Sequence, residues 1–426
     1  MKRIAVIDGV RTPFIKSWTL FDRLPAQKLG ALCVTELLQR TEIDPNLIDE
    51  VILGCVSQPI DAANVARVVS LQAGIPKSKR AYTVHRNCAS GFEAITSSVE
   101  KISIGFDEIV IAGGTESMSN APLIFSKEAA GLFMKLQKAK SFGEKLGVMM
   151  KFRPKHFAPQ AALQLALTDP ACGLNMGQTA EVLAKKFSIS RVRQDAFSLQ
   201  SHQRVVAARE KLREEMMPVF LPPSFEKQVL DDNGVRDNLT MEQLAKLKPI
   251  FDRFSGTVTA GNSSQITDGA CSLLLMEESR AKSLGYSILG TIIDYDYAGV
   301  EPSEMGIGPV FVIERILRRN KLTLKDIDLF EINEAFATQV LACLDALASK
   351  KFAEENFLGG QPVGEINPSI LNVNGGAIAM GHPVGVSGAR LVLTALKEMK
   401  RRGLKRSLVS ACVGGGQGGG VLLERA

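Results

Sequence analysis

The chain has 426 residues, of which 45% are hydrophobic and 23% are charged, so it is long enough for two or three globular domains with a large core. Its net charge of +6 suits an anionic small-molecule substrate and is too small to indicate nucleic-acid binding. Seven widely spaced cysteines without a CxxC pair argue against a disulfide scaffold and against structural zinc. With no signal-peptide pattern and no long apolar run, the sequence predicts a cytoplasmic protein without a metal site.

Short apolar segments alternate with helical patterns along the chain, which predicts an α/β fold. Helical periodicity is clear at 26–40 and again at 178–215. The predicted strands are 3–8, 50–56, 108–112, 271–276, 327–332 and 407–411.

The two ends of the chain share an order of features. IDEVILG (48–54) is followed by Ser90-Gly91, a helix and a strand, and IDLFEIN (327–333) is followed by Ser387-Gly388, a helix and a strand. A duplicated domain with pseudo-twofold symmetry explains this order, although chance similarity of two α/β segments would also produce matches this short.

The pattern changes between the two repeats. Segment 133–157 is basic and amphipathic, and segment 217–249 is rich in Pro, Asp and Lys. We therefore divide the chain into an N-terminal half (1–120 plus 250–282), an inserted loop domain (121–249) and a C-terminal half (283–426).

Cys88 lies in TVHRNCASGFEAI, where a strand ends and a helix begins. Small residues after it permit a sharp turn and an accessible thiol. The helix N-terminus would lower the thiol pKa, and its N–H groups could hold an oxyanion. An inert buried cysteine is the alternative.

His382 lies in the glycine-rich turn NVNGGAIAMGHPVGVSGAR, the counterpart of the Cys88 turn in the repeat. Pseudo-twofold symmetry would bring the two turns together at the strand ends, where open α/β sheets bind ligands. A histidine with a purely structural role is the alternative, but a loop histidine flanked by glycines has few packing reasons to be there.

Three further segments carry polar or reactive groups. Cys412 is followed by glycines on both sides of Gln417, which would let the backbone approach a ligand or would form a plain loop. Asn333 in EINEAFA could hold a water or cap a helix, with Glu334 beside it. The turn GNSSQ (261–265) offers hydrogen bonds to an amide-bearing ligand or is an ordinary polar turn.

Two thiols and one imidazole without a metal site limit the possible chemistry. One cysteine with a base becomes a nucleophile, and the second can give and take a proton at carbon. This combination suits carbon–carbon cleavage through an acyl-cysteine.

At these motifs the sequence resembles the thiolase family. NCASG, NEAFA, GGAIAMGHPVGVSGAR, CVGGGQGGG, GNSSQITDGA and DGVRTPF occur in the family's order along essentially the whole chain. The resemblance implies the thiolase fold, with a duplicated five-layer αβαβα core and an inserted loop domain. It also implies acetyl-CoA C-acyltransferase activity on 3-ketoacyl-CoA with coenzyme A as a substrate, and no tightly bound cofactor.

The resemblance also implies residue roles. Cys88 would be the acylated nucleophile, His382 its base, and Cys412 the acid that protonates the leaving enolate. His382 and a water on Asn333 would form one oxyanion hole, and the backbone N–H groups of Cys88 and Gly414 the other.

For coenzyme A, the resemblance implies contacts at Ser264 and Arg236 and an apolar wall at Met176. Many biosynthetic members have His before that Met, where this chain has Asn175. This departure argues against a specialist for acetoacetyl-CoA, which is the alternative substrate.

The insert resembles that of the thiolase subunit in fatty-acid β-oxidation complexes. This implies longer acyl chains, a homodimer and a possible hydratase/dehydrogenase partner; a peripheral membrane contact through 133–157 or a solvated charged excursion are further possibilities. Such subunits often have His where this chain has Asn333.

Two other functions fit less well. A ketoacyl-synthase-type condensing enzyme would use one Cys and two His, which Cys412 and Asn333 contradict. A non-catalytic scaffold or lipid-binding subunit would have no reason to retain Cys88, His382 and Cys412 together.

Overall fold

The computed structural model describes residues 3–426. Its strands are Ile4–Arg11 (β1), Ile15–Lys16 (β2), Glu50–Gly54 (β3), Arg80–Val84 (β4), Ile109–Glu116 (β5), Leu123–Ile124 (β6), Gln160–Ala161 (β7), Val219–Phe220 (β8), Gln228–Val229 (β9), Thr267–Glu277 (β10), Gly290–Gly299 (β11), Leu329–Ile332 (β12), Arg406–Val413 (β13) and Gln417–Glu424 (β14).

The α-helices are Ala26–Thr41 (α1), Val65–Gln72 (α2), Ser90–Ser103 (α3), Lys127–Lys138 (α4), Phe142–Met149 (α5), Ala162–Ala166 (α6), Met176–Lys186 (α7), Arg191–Arg213 (α8), Met241–Ala245 (α9), Glu278–Ser283 (α10), Gly308–Arg319 (α11), Ala337–Ala348 (α12), Lys350–Asn356 (α13), Ala377–Met380 (α14) and Ser387–Arg402 (α15). Short 3₁₀ turns lie at Pro45–Leu47, Met118–Asn120, Pro154–Phe157, Pro302–Ile307 and Leu324–Asp326.

The main sheet has the strand order β12-β13-β14-β11-β1-β10-β5-β3-β4, and β2 pairs with β10. Its two halves have the same order and the same strand directions. Each half has two parallel pairings at its outer side. In the first half β3 pairs with β4 and with β5. In the second half β12 pairs with β13, and a parallel bridge from Phe330 to Leu371 takes the position of β4. The halves join where β1 pairs antiparallel with β11. The predicted duplication is therefore confirmed.

The two halves of the main sheet form separate layers on either side of α3 and α15, and α1 with α2 and α11 with α12 form the outer layers, so five layers enclose a central core and two outer cores. Alternating residues of each strand point to opposite sides, so Leu273 and Leu275 of β10 enter the central core while Leu274 and Met276 enter an outer one. The central core is built on α3 of the first half and α15 of the second, and strands of both halves contribute apolar residues to it. Helices α1 and α2 cover the first half on the outside, and α11 and α12 cover the second. This is the predicted αβαβα arrangement.

The predicted strands and α1 are confirmed, but the predicted helix across 178–215 is two helices. The break falls between α7 and α8, where Ser188 has a φ of +52° and the side chain of Ser190 accepts a hydrogen bond from the N–H of Arg193. A left-handed residue followed by a new N-cap ends one helix and starts the next.

The division into 1–120 plus 250–282, 121–249 and 283–426 remains a proposal. Within 121–249 lie β6 to β9 and α4 to α9, none of which belongs to the main sheet. Among residues 3–426, no helix combines the length and the hydropathy that crossing a membrane would require.

Candidate active site

Cys88 lies in the sharp turn that joins β4 to α3. Asn87 has a φ of +42°, and its side-chain amide donates to the backbone oxygen of Gly414 over 2.7 Å. The hydroxyl of Ser90 accepts from the N–H of Arg86 and donates to the backbone oxygen of Asn87, over 2.9 and 2.7 Å. These bonds fix the turn and leave Cys88 half-buried ahead of the helix.

The electrostatic balance at Cys88 differs from the expected one. Burial raises the pKa of the Cys88 thiol, and this outweighs the backbone N–H groups of Gly414 and Cys88, which favour the thiolate. The negative charge of Glu116 raises the same pKa further. The N–H groups act in the expected direction, but burial reverses the net shift of the thiol pKa, so a base is needed to form the thiolate.

His382 has the hydrogen-bond arrangement of a base. Its Nδ1 lies 2.6 Å from the hydroxyl of Ser387, and that hydroxyl donates to the backbone oxygen of Pro383 over 3.2 Å. With its proton committed to Pro383, Ser387 accepts from Nδ1–H, so Nε2 carries the free lone pair. Nε2 is buried without a hydrogen-bond partner among residues 3–426. Burial, and then the charge of Arg390, lower the pKa of His382 to about 4, which keeps it neutral.

This shift predicts a pH-dependent stability. In the unfolded chain His382 takes up its proton near pH 6.5, and in the folded chain near pH 4. The unfolded state binds more protons between these values, so stability falls as the pH drops from 6.5 to 4. We expect the free energy of unfolding of wild type relative to His382→Gln to fall by about 2–3 kcal/mol between pH 7.5 and 4.5.

Urea unfolding of both proteins at the two pH values measures this difference. His202, whose pKa burial and Arg236 also lower to about 4, is present in both proteins and cancels. Unfolding free energies that change in parallel would contradict the prediction.

Cys412 is fully buried near the end of β13, in a small apolar cluster with Met176 and Phe336. Burial, and then the neighbouring Cys88, raise its pKa well above the usual value. A thiol in this state holds its proton until a more basic atom develops beside it. The next turn presents Gly414, where an added Cβ would lie 3.1 Å from the sulfur of Met176.

Asn333 follows β12 with a fully buried side chain whose amide nitrogen and oxygen both have no partner among residues 3–426. It does not cap a helix, because α12 begins only at Ala337. Buried amides without partners are costly, and they are found where something else completes them. Glu334 points elsewhere: it accepts from Ser201 and Asn372 over 2.6 and 2.9 Å.

The three residues expected to contact coenzyme A lie on neighbouring segments. Met176 begins α7 and packs against the Cys412 cluster. Half-buried Ser264 donates its N–H to Ala335, and the next residue, Gln265, accepts from the N–H of His382 over 3.0 Å. Arg236 is exposed, and Gln265 donates to Gly234 in the same loop.

Two details of this region have structural explanations. Asn175, the residue before Met176, is the N-cap of α7 and exchanges two hydrogen bonds of 2.9 Å with Gln178. The loop that carries Arg236 is anchored by Asp232, which accepts two hydrogen bonds from buried Arg11 of β1.

The two turns meet because glycines let α3 and α15 cross at their first residues. A Cβ on Gly91 would lie 2.6 Å from the backbone nitrogen of Ala389, and one on Gly388 would lie 2.5 Å from that of Phe92. The Cys88 turn, the His382 turn and the end of β13 thus converge between the halves.

Not every expected role for glycine holds. Gly418–Gly420 belong to β14 rather than to a ligand loop, and a Cβ on Gly418 would lie 2.3 Å from the backbone of Gly308. Gly418 and Gly420 let α11 pack closely on the strand, and Gly419 faces Tyr297 and Ala89 instead.

Three residues of the site escaped the sequence reasoning: Asn87, Ser387 and Glu116. Ser387 was noted only as part of the repeat, and Asn87 only as a letter of the motif. Glu116 gave no local signal, because β10 and β14 also end in glutamate. Within the described residues, no group of three or more His, Cys, Asp or Glu side chains is placed to hold a metal.

Family models match nearly the whole chain. The model described as "Thiolase, N-terminal domain" covers residues 4–279, and "Thiolase, C-terminal domain" covers 286–425. The chain belongs to the thiolase family.

Individual thiolases are similar over their full length. A protein of Pseudoalteromonas translucida named 3-ketoacyl-CoA thiolase is 43% identical over 100% of this chain and 97% of its own. The crystal structure of human mitochondrial 3-ketoacyl-CoA thiolase in complex with CoA matches with a TM-score of 0.85 and 36% identity, over 100% and 98% of the two chains. The acetyl-CoA acetyltransferase of Bacillus anthracis matches with a TM-score of 0.87 and 34% identity, over 100% and 99%.

Proposed function

We propose that this chain is a 3-ketoacyl-CoA thiolase of fatty-acid β-oxidation, which uses coenzyme A to release acetyl-CoA and a shortened acyl-CoA. The observation that carries the proposal is the pairing of two thiols with unsatisfied buried polar groups: Nε2 of His382 and both polar atoms of Asn333. The names of the full-length relatives support the same reaction.

In the first half-reaction, Nε2 of His382 takes the proton of Cys88, and the thiolate attacks the 3-keto carbon. The bond between C2 and C3 breaks, the acyl group stays on Cys88, and the C2 carbanion of acetyl-CoA takes the proton of Cys412. The high pKa of the Cys412 thiol, which follows from its burial, keeps that proton in place until the carbanion forms.

In the second half-reaction, the Cys412 thiolate takes the proton of the coenzyme A thiol. The coenzyme A sulfur attacks the acyl-Cys88 thioester, and Cys88 leaves as thiolate and recovers its proton from His382. The backbone N–H groups of Cys88 and Gly414 supply one oxyanion hole, and the support for this role is that both favour the thiolate of Cys88. His382 and a water on Asn333 supply the other.

Coenzyme A enters as a substrate rather than as a tightly bound cofactor. Arg236 offers a cation for the phosphates or adenine side, Ser264 a polar contact for the pantetheine, and Met176 an apolar wall at the reacting sulfur. The position of these residues supports the assignment, because Gln265 connects Ser264 and the Arg236 loop to His382.

Thiolysis of a ladder of 3-ketoacyl-CoA substrates, from four to sixteen carbons, with acetyl-CoA read by mass spectrometry, tests the proposal. We expect cleavage that favours medium or long chains. Activity confined to acetoacetyl-CoA would favour the short-chain alternative, which the match to the acetyl-CoA acetyltransferase keeps in view. If the folded protein cleaves none of these substrates, the thiolase proposal is wrong and the non-catalytic scaffold or lipid-binding function remains.

The protein is also proposed to be a cytoplasmic homodimer. All seven cysteines lie in the described residues as free thiols, which suits a reducing compartment. Strand β4 is an outer strand of the main sheet with half-buried side chains, and such an edge is readily paired with a second copy. Analytical ultracentrifugation measures the assembly.

The insert supports a peripheral membrane contact through 133–157, with a hydratase/dehydrogenase subunit as the other candidate for this surface. Phe142, Met149 and Met150 are exposed among lysines, at 82%, 57% and 75%. Apolar side chains interspersed with lysines suit an anionic lipid surface.

Sedimentation with anionic vesicles tests this contact. We expect Phe142→Ser to weaken vesicle binding several-fold relative to wild type, because one exposed aromatic anchor is lost. Leu358→Ser, at an equally exposed position outside the insert (84%), is the control and should bind as wild type does. Equal binding of all three proteins would remove the membrane proposal and leave the partner subunit.

A further inference from the structure

Glu116 is a fully buried carboxylate that the reaction scheme does not use. It ends β5 and accepts three backbone N–H groups: those of Val56, Ser57 and Gly385, over 3.1, 2.7 and 2.8 Å. The thiol of Cys55 points at it over 3.8 Å. Burying a carboxylate in an apolar layer is costly unless hydrogen bonds compensate for its lost hydration.

One of these partners belongs to the other half of the molecule. Gly385 lies between His382 and Ser387, the residue that orients the imidazole. Its backbone oxygen sits where a Cβ on Gly54 or Gly114 would lie 2.7 or 2.1 Å away. The His382 loop is thus seated on the ends of β3 and β5, and Glu116 is the hydrogen-bond acceptor that closes this contact.

The pseudo-twofold axis gives the contact a counterpart. Cys88 and Gly385 each precede the Ser-Gly pair of their half by two residues. Cys88 lies against the backbone of Gly414, just after β13, and Gly385 lies against Glu116 at the end of β5. Each turn is therefore bonded to a strand end of the opposite half, and Glu116 provides one of these two cross-connections.

The charge of Glu116 has an unfavourable effect on the nucleophile. It raises the pKa of Cys88, and burial raises the pKa of Glu116 itself to about 7 against the effect of its backbone N–H partners. A negative charge near Cys88 disfavours the thiolate, so the charge of Glu116 does not assist the nucleophile. Glu116 must therefore contribute through the backbone groups that its carboxylate binds, among them the N–H of Gly385.

We propose that Glu116 is a positioning residue that, through Gly385, holds the His382 loop in the geometry required for proton transfer from Cys88. The inference rests on the proposed function, because it assigns His382 as the base. It adds a residue of the first half to the control of a group supplied by the second.

The test compares Glu116→Gln and Glu116→Asp with Glu50→Gln. Glu50 is also a buried glutamate, on the neighbouring β3, but it pairs with Lys101 at the far end of the strand. We expect Glu116→Gln to lower kcat by about 10²-fold with little change in KM, since displacing a reacting group by about 1 Å costs that much. Glu116→Asp should recover part of the loss, and Glu50→Gln should keep wild-type kcat.

A second readout needs no acyl-CoA. Alkylation of Cys88 by iodoacetamide, followed by peptide mass spectrometry, should be slower in Glu116→Gln than in wild type, with half-buried Cys172 as the internal reference. Faster alkylation would mean that Glu116 acts through its charge and would overturn the proposal. So would a lower melting temperature with unchanged kcat, which marks a purely structural role. A wild-type protein inactive on every substrate would instead remove the proposed function, and the alkylation rates would still decide this inference.

Discussion

Cys88→Ala is expected to lower kcat for thiolysis by about 10⁴-fold or more, because losses of this order follow removal of the nucleophile in other acyl-transfer enzymes. Incubated with a 3-ketoacyl-CoA and no free coenzyme A, the wild-type chain should gain the mass of one acyl group, and the variant should gain none. Intact-protein mass spectrometry measures the adduct.

Cys412→Ala is the matched control, since it removes the other thiol of the site. It should lower kcat by about 10²–10⁴-fold, as expected for loss of a general acid, while Cys88 remains open to alkylation. An acyl adduct on the Cys88→Ala chain would mean that another residue is the nucleophile. Nearly full activity in that variant would remove the acyl-cysteine mechanism altogether.

Asn333→Ala should lower kcat strongly and the free energy of unfolding only slightly. Loss of one oxyanion-hole donor lowers kcat by about 10²–10³-fold. The side chain that it removes makes no hydrogen bond to another described residue, so the cost in stability is limited to the cavity left behind. Steady-state kinetics and urea unfolding measure the two effects.

Asn372→Ala provides the contrast. The Asn372 amide accepts from the N–H of Ile332 over 2.8 Å and donates to Ile332 and Glu334 over 3.0 and 2.9 Å, and its φ is +45°. Its loss should reduce the free energy of unfolding by about 2 kcal/mol or more, with a smaller loss of kcat per folded molecule. Equal destabilisation by the two variants would show that Asn333 is bonded to other residues of the folded protein and would contradict its assignment to an oxyanion hole.

Local patterns were sufficient to predict most of the sheet and the meeting of the Cys88 and His382 turns. Strands such as β10 and β13 are apolar on both faces, and the turns around Cys88 and His382 stand out by their glycines. The repeat then placed these turns opposite each other, and the structure brings them together.

What the sequence could not provide depends on contacts between distant residues. The sign of the Cys88 pKa shift follows from burial and from Glu116, neither of which a motif reveals. The close approach of Gly418 to Gly308 joins two segments 110 residues apart, and the bond from Gly385 to Glu116 spans 269. The break between α7 and α8 depends on a single left-handed residue, Ser188, whose type rarely adopts that conformation.

A duplicated fold offers two symmetric places for a nucleophile, and this chain can use only one. At Gly385, the counterpart of Cys88, a Cβ would lie 2.8 Å from the carboxylate of Glu116 and 3.0 Å from the backbone of Cys55. No cysteine fits there while Glu116 is in place. Symmetry is thus broken by steric exclusion as much as by chemistry, and the proposed mechanism then allows one acyl group per polypeptide.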